Sequence, residues 1–294
     1  MPLAPATLGF IQGFTAYLLW GMFPLYFHLL RTVPATEVLL HRVLWSFVLV
    51  LWVVLLLGRL DAVRRVLRER ALLKGLMASS LLISINWLVF IWAVANDRVV
   101  ETSLGYFITP LVSVFLARVF LGERLNRWRQ VAILLAALGL AWLVWRIGEL
   151  PWVALVLALS FGLYGLARKQ IAVDTLTGLT VETGLLLPFA LAYAVWLYAD
   201  GWDPARPVLD WWLLLASGAV TAVPLLLFAA GARRMSLSAI GFLMYVNPTM
   251  QFLTAVFIFG EAFDRDRLIG FVLIWAGLLL FSLGSLPFQR AKPA

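Results

Sequence analysis

Few side chains in this sequence are equipped for chemistry, and most of those sit beside prolines or aromatics inside apolar runs. Thr109 and Ser113 bracket Pro110, and Asn247 and Gln251 bracket Pro248 in the same register. A proline lacks the N–H that would close one helical bond, so a membrane helix can bend there if neighbours or water satisfy the backbone. Polar groups at such depth are costly unless paired, and they normally face the bundle interior. Two polar-flanked bends of this kind suit a midplane solute site with two gates. Interhelical hydrogen bonding without any solute is the alternative use.

Around these bends the sequence supplies aromatic surface and scattered donors. Gly13, Tyr17, Trp20, Pro24 and His28 fall three or four residues apart, which stacks them on one helical stripe. Asn86 and Trp87, Ser160 and Tyr164, and Ser217, Thr221, Pro224 and Phe228 give further such faces, with Tyr106 and Tyr245 beside the two bends. Gly105, Gly241, Pro24 and Pro224 join Pro110 and Pro248 as expected hinge or gating positions. Glu37, His41 and Trp45 share one face of a helix with Arg42 beside it, a cluster able to relay protons or hold a carboxylate, although water or snorkelling at the helix end would also satisfy it. Glu182 reads as an interfacial residue rather than a coupling carboxylate. Glu123 and Glu261, each at a span end beside arginines, read as helix caps and local ion-pair partners.

These groups form no catalytic or metal-binding pattern. HExxH and GxSxG are missing, there is no P-loop and no cysteine, and only two histidines occur. No cofactor or metal is expected. An enzyme acting on lipid-soluble substrates lacks its constellation, and ATP-driven transport lacks its nucleotide site.

The elements that position these groups are membrane spans. Of the 294 residues 63% are hydrophobic and 13% charged, and the mean hydropathy is +0.97; a soluble domain has about 45–50% apolar and about 25% charged residues. A span needs about 20 mostly apolar residues. Breaks at charge clusters and at Gly or Pro predict ten of them: 8–29, 36–57, 71–94, 100–120, 128–146, 150–168, 178–199, 209–231, 239–259 and 267–285. The first apolar run lacks the charged start and cleavage site of a signal peptide and is expected to be retained. The basic stretch 58–70 is expected to form a solvated helix that fixes topology. Trp211 and Trp212 are expected to anchor an interface.

The chain also repeats itself. An offset of 138 residues carries Pro110 onto Pro248, Gly122-Glu123 onto Gly260-Glu261, Arg127 and Arg129 onto Arg265 and Arg267, and Gly139 onto Gly277. The same offset carries Thr109 onto Asn247 and Ser113 onto Gln251. Five spans per repeat is an odd number, so the second copy must enter the membrane inverted, and such repeats commonly hold a binding site between them. The expected units are residues 1–147 and 148–286, followed by a tail at 287–294. Sixteen of the 23 Lys and Arg fall on one side of the predicted topology, which the positive-inside rule makes cytoplasmic, together with both termini. This accounts for the net charge of +8 without nucleic acid. The expected partners are the bilayer and a small solute; oligomeric state stays open, with a monomer compatible.

HRVLWSF (41–47), INWLVFIWAV (85–94), ETSLGYFITPLVSV (101–114), FLGERL (120–125) and LSAIGFLMYVNPT (237–249) resemble the RarD branch of the EamA transporters, in the drug/metabolite transporter superfamily. The likeness covers the whole chain and is weakest in the sixth and seventh spans. It implies an all-α polytopic fold of ten helices, two inverted five-helix halves around a central cavity. It also implies secondary transport, mostly export, of small metabolites across a bacterial inner membrane; the related YddG-type members export aromatic and other amino acids. Thr109 departs from the Asn often found before the fourth-span proline in that branch. The expected solute contacts are Tyr17, Trp20, His41, Asn86, Trp87, Tyr106, Ser113, Tyr164, Tyr245, Asn247 and Gln251. The competing readings are a membrane scaffold or receptor and an intramembrane enzyme.

Overall fold

A computed structural model describes residues 5–122, 126–199, 205–232, 234–235, 240 and 243–283. Among them the regular elements are all helical: α1 (Pro5–Gly21), α2 (Phe23–His28), α3 (Ala35–Leu56), α4 (Leu60–Arg68), α5 (Arg70–Ala95), α6 (Val99–Leu121), α7 (Arg127–Ile147), α8 (Trp152–Gln170), α9 (Thr175–Leu197), α10 (Val208–Ala232), α11 (Val246–Leu253) and α12 (Arg265–Leu283). Nine spans among the described residues are long and apolar enough to cross a membrane, the first formed by α1 and α2 together. The ninth of the ten expected spans is described only as the shorter apolar helix Val246–Ile258, and residues 239, 241 and 242 of that expected span lie outside the described set. Gly241 falls there, as do Glu123 and Arg233.

Local chemistry explains most helix ends. Asn126 and Asp174 cap α7 and α9 by accepting the backbone N–H groups of Arg129 and Thr177. Gly122 and Gly148 close α6 and α7 in the left-handed conformation, with φ of 66° and 77°, which costs glycine nothing. The basic stretch folds as α4, with Val63 and Val66 buried and its arginines exposed.

The prolines divide into two kinds. Pro24 stands at the second position of α2, just past the break at Met22, and Pro248 lies in the first turn of α11, where a missing N–H costs little. Pro110, Pro188 and Pro224 lie inside continuous helices. The two repeat-related bends are therefore unequal. After Gln251, α11 also passes into a π-helical turn over Thr254–Ile258, whereas the equivalent part of α6 remains α-helical.

Contacts between helix ends fix the relation of the halves. Glu37 in the first turn of α3 accepts a hydrogen bond from Tyr198, which follows the last turn of α9. Arg59 beyond the far end of α3 pairs with Asp174 before the start of α9 at 3.0 Å. These two helices are the second spans of their halves and run antiparallel, so the repeat is inverted. Close helix crossings use glycine where a Cβ would strike a backbone carbonyl. A methyl at Gly139 of α7 would meet the Gly270 carbonyl of α12 at 2.8 Å, and one at Gly277 of α12 would meet the Ala132 carbonyl of α7 at 2.8 Å. The repeat-related glycines thus join the fifth helices of the two halves. Large apolar side chains such as Phe189, Val195, Phe257 and Trp145 point outward on the perimeter, as lipid contact requires.

Candidate solute site

A cavity of about 360 Å³ lies between the halves, bounded by α1, α2, α3, α5 and α6 from the first and by α8, α9, α10 and α11 from the second. Of the expected solute contacts, Tyr17, Trp20, Asn86, Trp87, Tyr106, Tyr164, Asn247 and Gln251 line it. Ser113, Tyr245 and His41 do not. Ser113 faces α8, where a Cβ on Gly162 would lie 3.6 Å from its Oγ. The Tyr245 hydroxyl is 3.4 Å from Ser282.

The walls are aromatic because several helices turn rings inward at helical spacing. Tyr17 of α1 meets Trp20 edge-on at 5.3 Å and Phe228 of α10 at 5.6 Å. Across the cavity Tyr106 of α6 meets Phe161 of α8 at 6.1 Å, and Phe161 meets Tyr164 at 5.9 Å. Much of the polar lining is already engaged with protein. The Asn86 amide donates to the Leu157 carbonyl at 3.1 Å and to Ser160 at 3.0 Å, while its oxygen accepts from Tyr106 at 3.1 Å. Asn86 therefore orients Tyr106 rather than offering a free amide. Gln251 donates to Asn247 at 2.7 Å and accepts from Thr102 of α6 at 2.9 Å, which ties the short α11 to the first half. Thr109 turns its hydroxyl back to the Gly105 carbonyl at 2.8 Å. Gly105 itself is a packing position, since a Cβ there would meet the Ala154 carbonyl of α8 at 2.8 Å.

An ion pair and a lone arginine reach the cavity, although the residue pattern placed them elsewhere. Glu182 is buried rather than interfacial, at 2% exposure. It accepts from Ser79 at 2.5 Å, meets Tyr164 at 3.4 Å, and faces Arg168 at 3.8 Å. Arg168 reaches it by lying across Gly178, where any Cβ would collide with the guanidinium. The lone arginine is Arg42. One residue along α3 is about 100° around the helix, so Arg42 points away from the face that carries Glu37, His41 and Trp45. It lines the cavity, donates from Nε to Thr221 at 2.8 Å, and stacks on Trp87 with its guanidinium carbon 4.3 Å from the ring centroid.

Glu37 and His41 build a separate cluster at the end of the bundle where α3 begins. Glu37 is 1% exposed and is held by both terminal nitrogens of Arg206, one of them at 3.0 Å, and by Tyr198 at 2.7 Å. His41 bridges the Tyr198 hydroxyl at 3.0 Å and the Trp45 indole N–H at 3.2 Å. Burial, then the bond to Glu37, pushes the Tyr198 hydroxyl well above the usual phenol range, so it stays protonated and donates. The carboxylate holds Arg206 above its ordinary value in turn. Trp211 belongs to this cluster, beneath Arg206 at 4.7 Å, while Trp212 stays exposed as an anchor should. Glu261 is a cap, as expected, but of a helix in the other half: both carboxylate oxygens hold the start of α6, accepting from Val99 at 2.6 Å and Val100 at 2.7 Å. His28 stacks on Phe259 at 4.3 Å, outside the cavity.

A multi-pass helical membrane protein with a solute-sized chamber between two antiparallel halves belongs to the class of membrane transporters. The pattern of the EamA-like transporter family matches twice, over residues 7–145 and 151–283, and the chain belongs to that family. It is similar to an uncharacterized transporter of Pseudomonas aeruginosa, 45% identical over 97% of this chain and 96% of that one. Protein RarD of Escherichia coli is 42% identical over 96% of each chain. The uncharacterized transporter YojE of Bacillus subtilis is 42% identical over 97% of this chain and 96% of its own. A protein of known crystal structure shares the fold, with a TM-score of 0.61 at 20% identity over 96% of this chain and 99% of that one.

Proposed function

We propose that this protein is a secondary transporter that exports small amphipathic metabolites, amino acids including aromatic ones, by alternating access. It would do so from the inner membrane with both termini in the cytoplasm. The observation that carries this reading is the cavity itself: 360 Å³ is at the small end of ligand sites, which run from about 300 to 1,000 Å³. Its walls are aromatic with a few fixed polar groups, which suits a solute with an apolar ring and a polar head.

The inequality of the two repeats supports alternation. Repeat-related halves that adopt different shapes can exchange them, exposing one site to either side in turn. The hinge positions in this proposal are Pro24, Gly105, Pro110, Pro224, Gly241 and Pro248. Pro248 and the π-helical turn beyond Gln251 would straighten as α6 bends. Bonding between Glu37 and Arg206 holds one end of the bundle together, and pairing between Arg59 and Asp174 the other. A ligand drives such a cycle only through different affinities for its two forms.

Counterflow in proteoliposomes tests the proposal. Vesicles preloaded with phenylalanine or another unlabelled amino acid are expected to accumulate the labelled form above empty liposomes. Asn247→Ala and Gln251→Ala are expected to slow exchange about tenfold, the effect of removing a bond worth about 1.4 kcal/mol. Exchange no faster than in empty liposomes across a broad amino-acid panel rules the function out; full activity in both variants removes these two residues from the site.

A further inference from the structure

Arg42, about two turns into α3, is 3% exposed and turned toward the interior of an apolar bundle. Among the described residues its one side-chain hydrogen bond runs from Nε to Thr221, and the buried Nη1 has no partner. Among the described residues, the seven ion pairs found all involve other arginines, and none brings a carboxylate to Arg42. Its other neighbours are the ring faces of Trp87 at 4.3 Å, Phe27 at 5.3 Å and Phe23 at 5.4 Å, with the phenols of Tyr26 and Tyr106 close enough to interact with it but bringing no carboxylate. Rings attract a cation but do not neutralise it. A charge taken out of water without a counter-charge is strongly unfavourable, and an ionisable group inside a membrane bundle normally has a partner or a task. The other buried cation of the cavity, Arg168, already faces Glu182.

We propose that Arg42 is the anion anchor of the cavity, and that the transported solutes carry a carboxylate that docks on its guanidinium while an aromatic or apolar body packs among Trp87, Phe90, Tyr106 and Trp20. This deepens the transport reading and rests on the cavity being its solute site. Guanidinium geometry favours a planar two-oxygen group, and with Nε held by Thr221 the Nη side is the edge left for it. The Trp87 ring, 4.3 Å from the guanidinium carbon, covers one side of the group and leaves a bound carboxylate to approach along its edge. The anchor belongs to α3, whose starting end is held by the bonds from Arg206 to Glu37 on the same helix, so docking at Arg42 and release of that end act on one rigid element.

Thermal unfolding of the purified full chain in detergent, at matched ionic strength, tests this with 3-phenylpropanoate and 3-phenylpropanamide, which differ only at the head group. The acid is expected to raise Tm of the wild type by about 2–5 °C near saturation and the amide to leave it unchanged. Arg42→Met is expected to abolish the acid response and, without ligand, to match or exceed the wild type in Tm, because it removes an uncompensated charge. Arg42→Lys keeps the charge and is expected to retain part of the response, which guards against a variant that simply folds poorly. Counterflow of aromatic carboxylates should fall about tenfold to a hundredfold in Arg42→Met, the loss of one charge-assisted bond. Equal shifts by acid and amide, no shift by the acid, or an acid response that survives in Arg42→Met overturns the anchor. So does an unliganded Arg42→Met well below the wild type, which would make the guanidinium a strut. A wild type that exchanges neutral aromatic solutes but ignores carboxylates would lose the anchor and keep the transporter.

Discussion

Glu182 illustrates how a single charged side chain is held where charge is costly. Its carboxylate is buried, bonded to Ser79 of α5 and facing Arg168 of α8, so three helices meet on one group. Removing one partner of such a pair strands the other. Glu182→Ala is expected to destabilise the protein by about 3 kcal/mol, and Glu182→Gln by less because the amide oxygen still accepts from Ser79. Adding Arg168→Met to Glu182→Gln should recover much of the loss, as coupled neighbours do; unfolding in detergent measures all three, and simple additivity would show that the pair does not act as a unit. The apolar stretch around Glu182 gives no sign of this partner, because Arg168 and Ser79 lie on other helices and become neighbours only when α5, α8 and α9 pack. Arg42 is hidden for a different reason. Proximity in sequence groups it with His41 and Glu37, whereas helical rotation turns it toward the cavity and turns them toward Tyr198 and Arg206.

At the scale of elements, hydropathy and punctuation locate the spans well, since a helix in lipid must satisfy its backbone internally and its length is set by the bilayer. What they miss are the interruptions. The break at Met22 falls just past Gly21, which packs against Met250 and Asn247 of α11, and the π-helical turn follows Gln251 of that same short helix; neither contact is written in the residue pattern of its own span. The junctions between helices carry their own energetics. Asp174 caps α9 through Thr177 and pairs with Arg59. Burial alone would raise its carboxyl, but the bonds from Thr177 and the Arg59 charge outweigh it and hold the group below the ordinary value of 3.8. A lowered folded value means stability that is present above the unfolded value and lost as pH falls through the folded one. The Tm difference between wild type and Asp174→Ala is therefore expected to be full at neutral pH, where the lost cap alone is worth about 1 kcal/mol. It should shrink as the solution is acidified below about pH 4; a difference that stays constant down to pH 3 would show that the ionised form is not what holds this end.

For the molecule as a whole, the inverted repeat is legible in the residues themselves because five spans per copy leave no other arrangement, and the bonds joining the start of α3 to the end of α9 embody it. One consequence concerns sites that the repeat makes equivalent. Arg127 and Arg265 occupy the same place in their halves, each the first residue of its fifth helix and each exposed. Antiparallel halves put these two positions on opposite membrane faces, although their sequence surroundings are alike. The contacts between the two helices run the same way: Gly139 meets Gly270 and Ala132 meets Gly277, so moving toward the start of α7 means moving toward the end of α12. The chain contains no cysteine, so Arg127→Cys and Arg265→Cys each introduce one thiol without background. A membrane-impermeant maleimide added to intact cells is expected to label Arg265→Cys at once and Arg127→Cys only after the membrane is opened. The reverse pattern would keep the inversion and overturn the assignment of the termini to the cytoplasm. Labelling of both from one side would require parallel fifth helices, and with them a different crossing at Gly139 and Gly277.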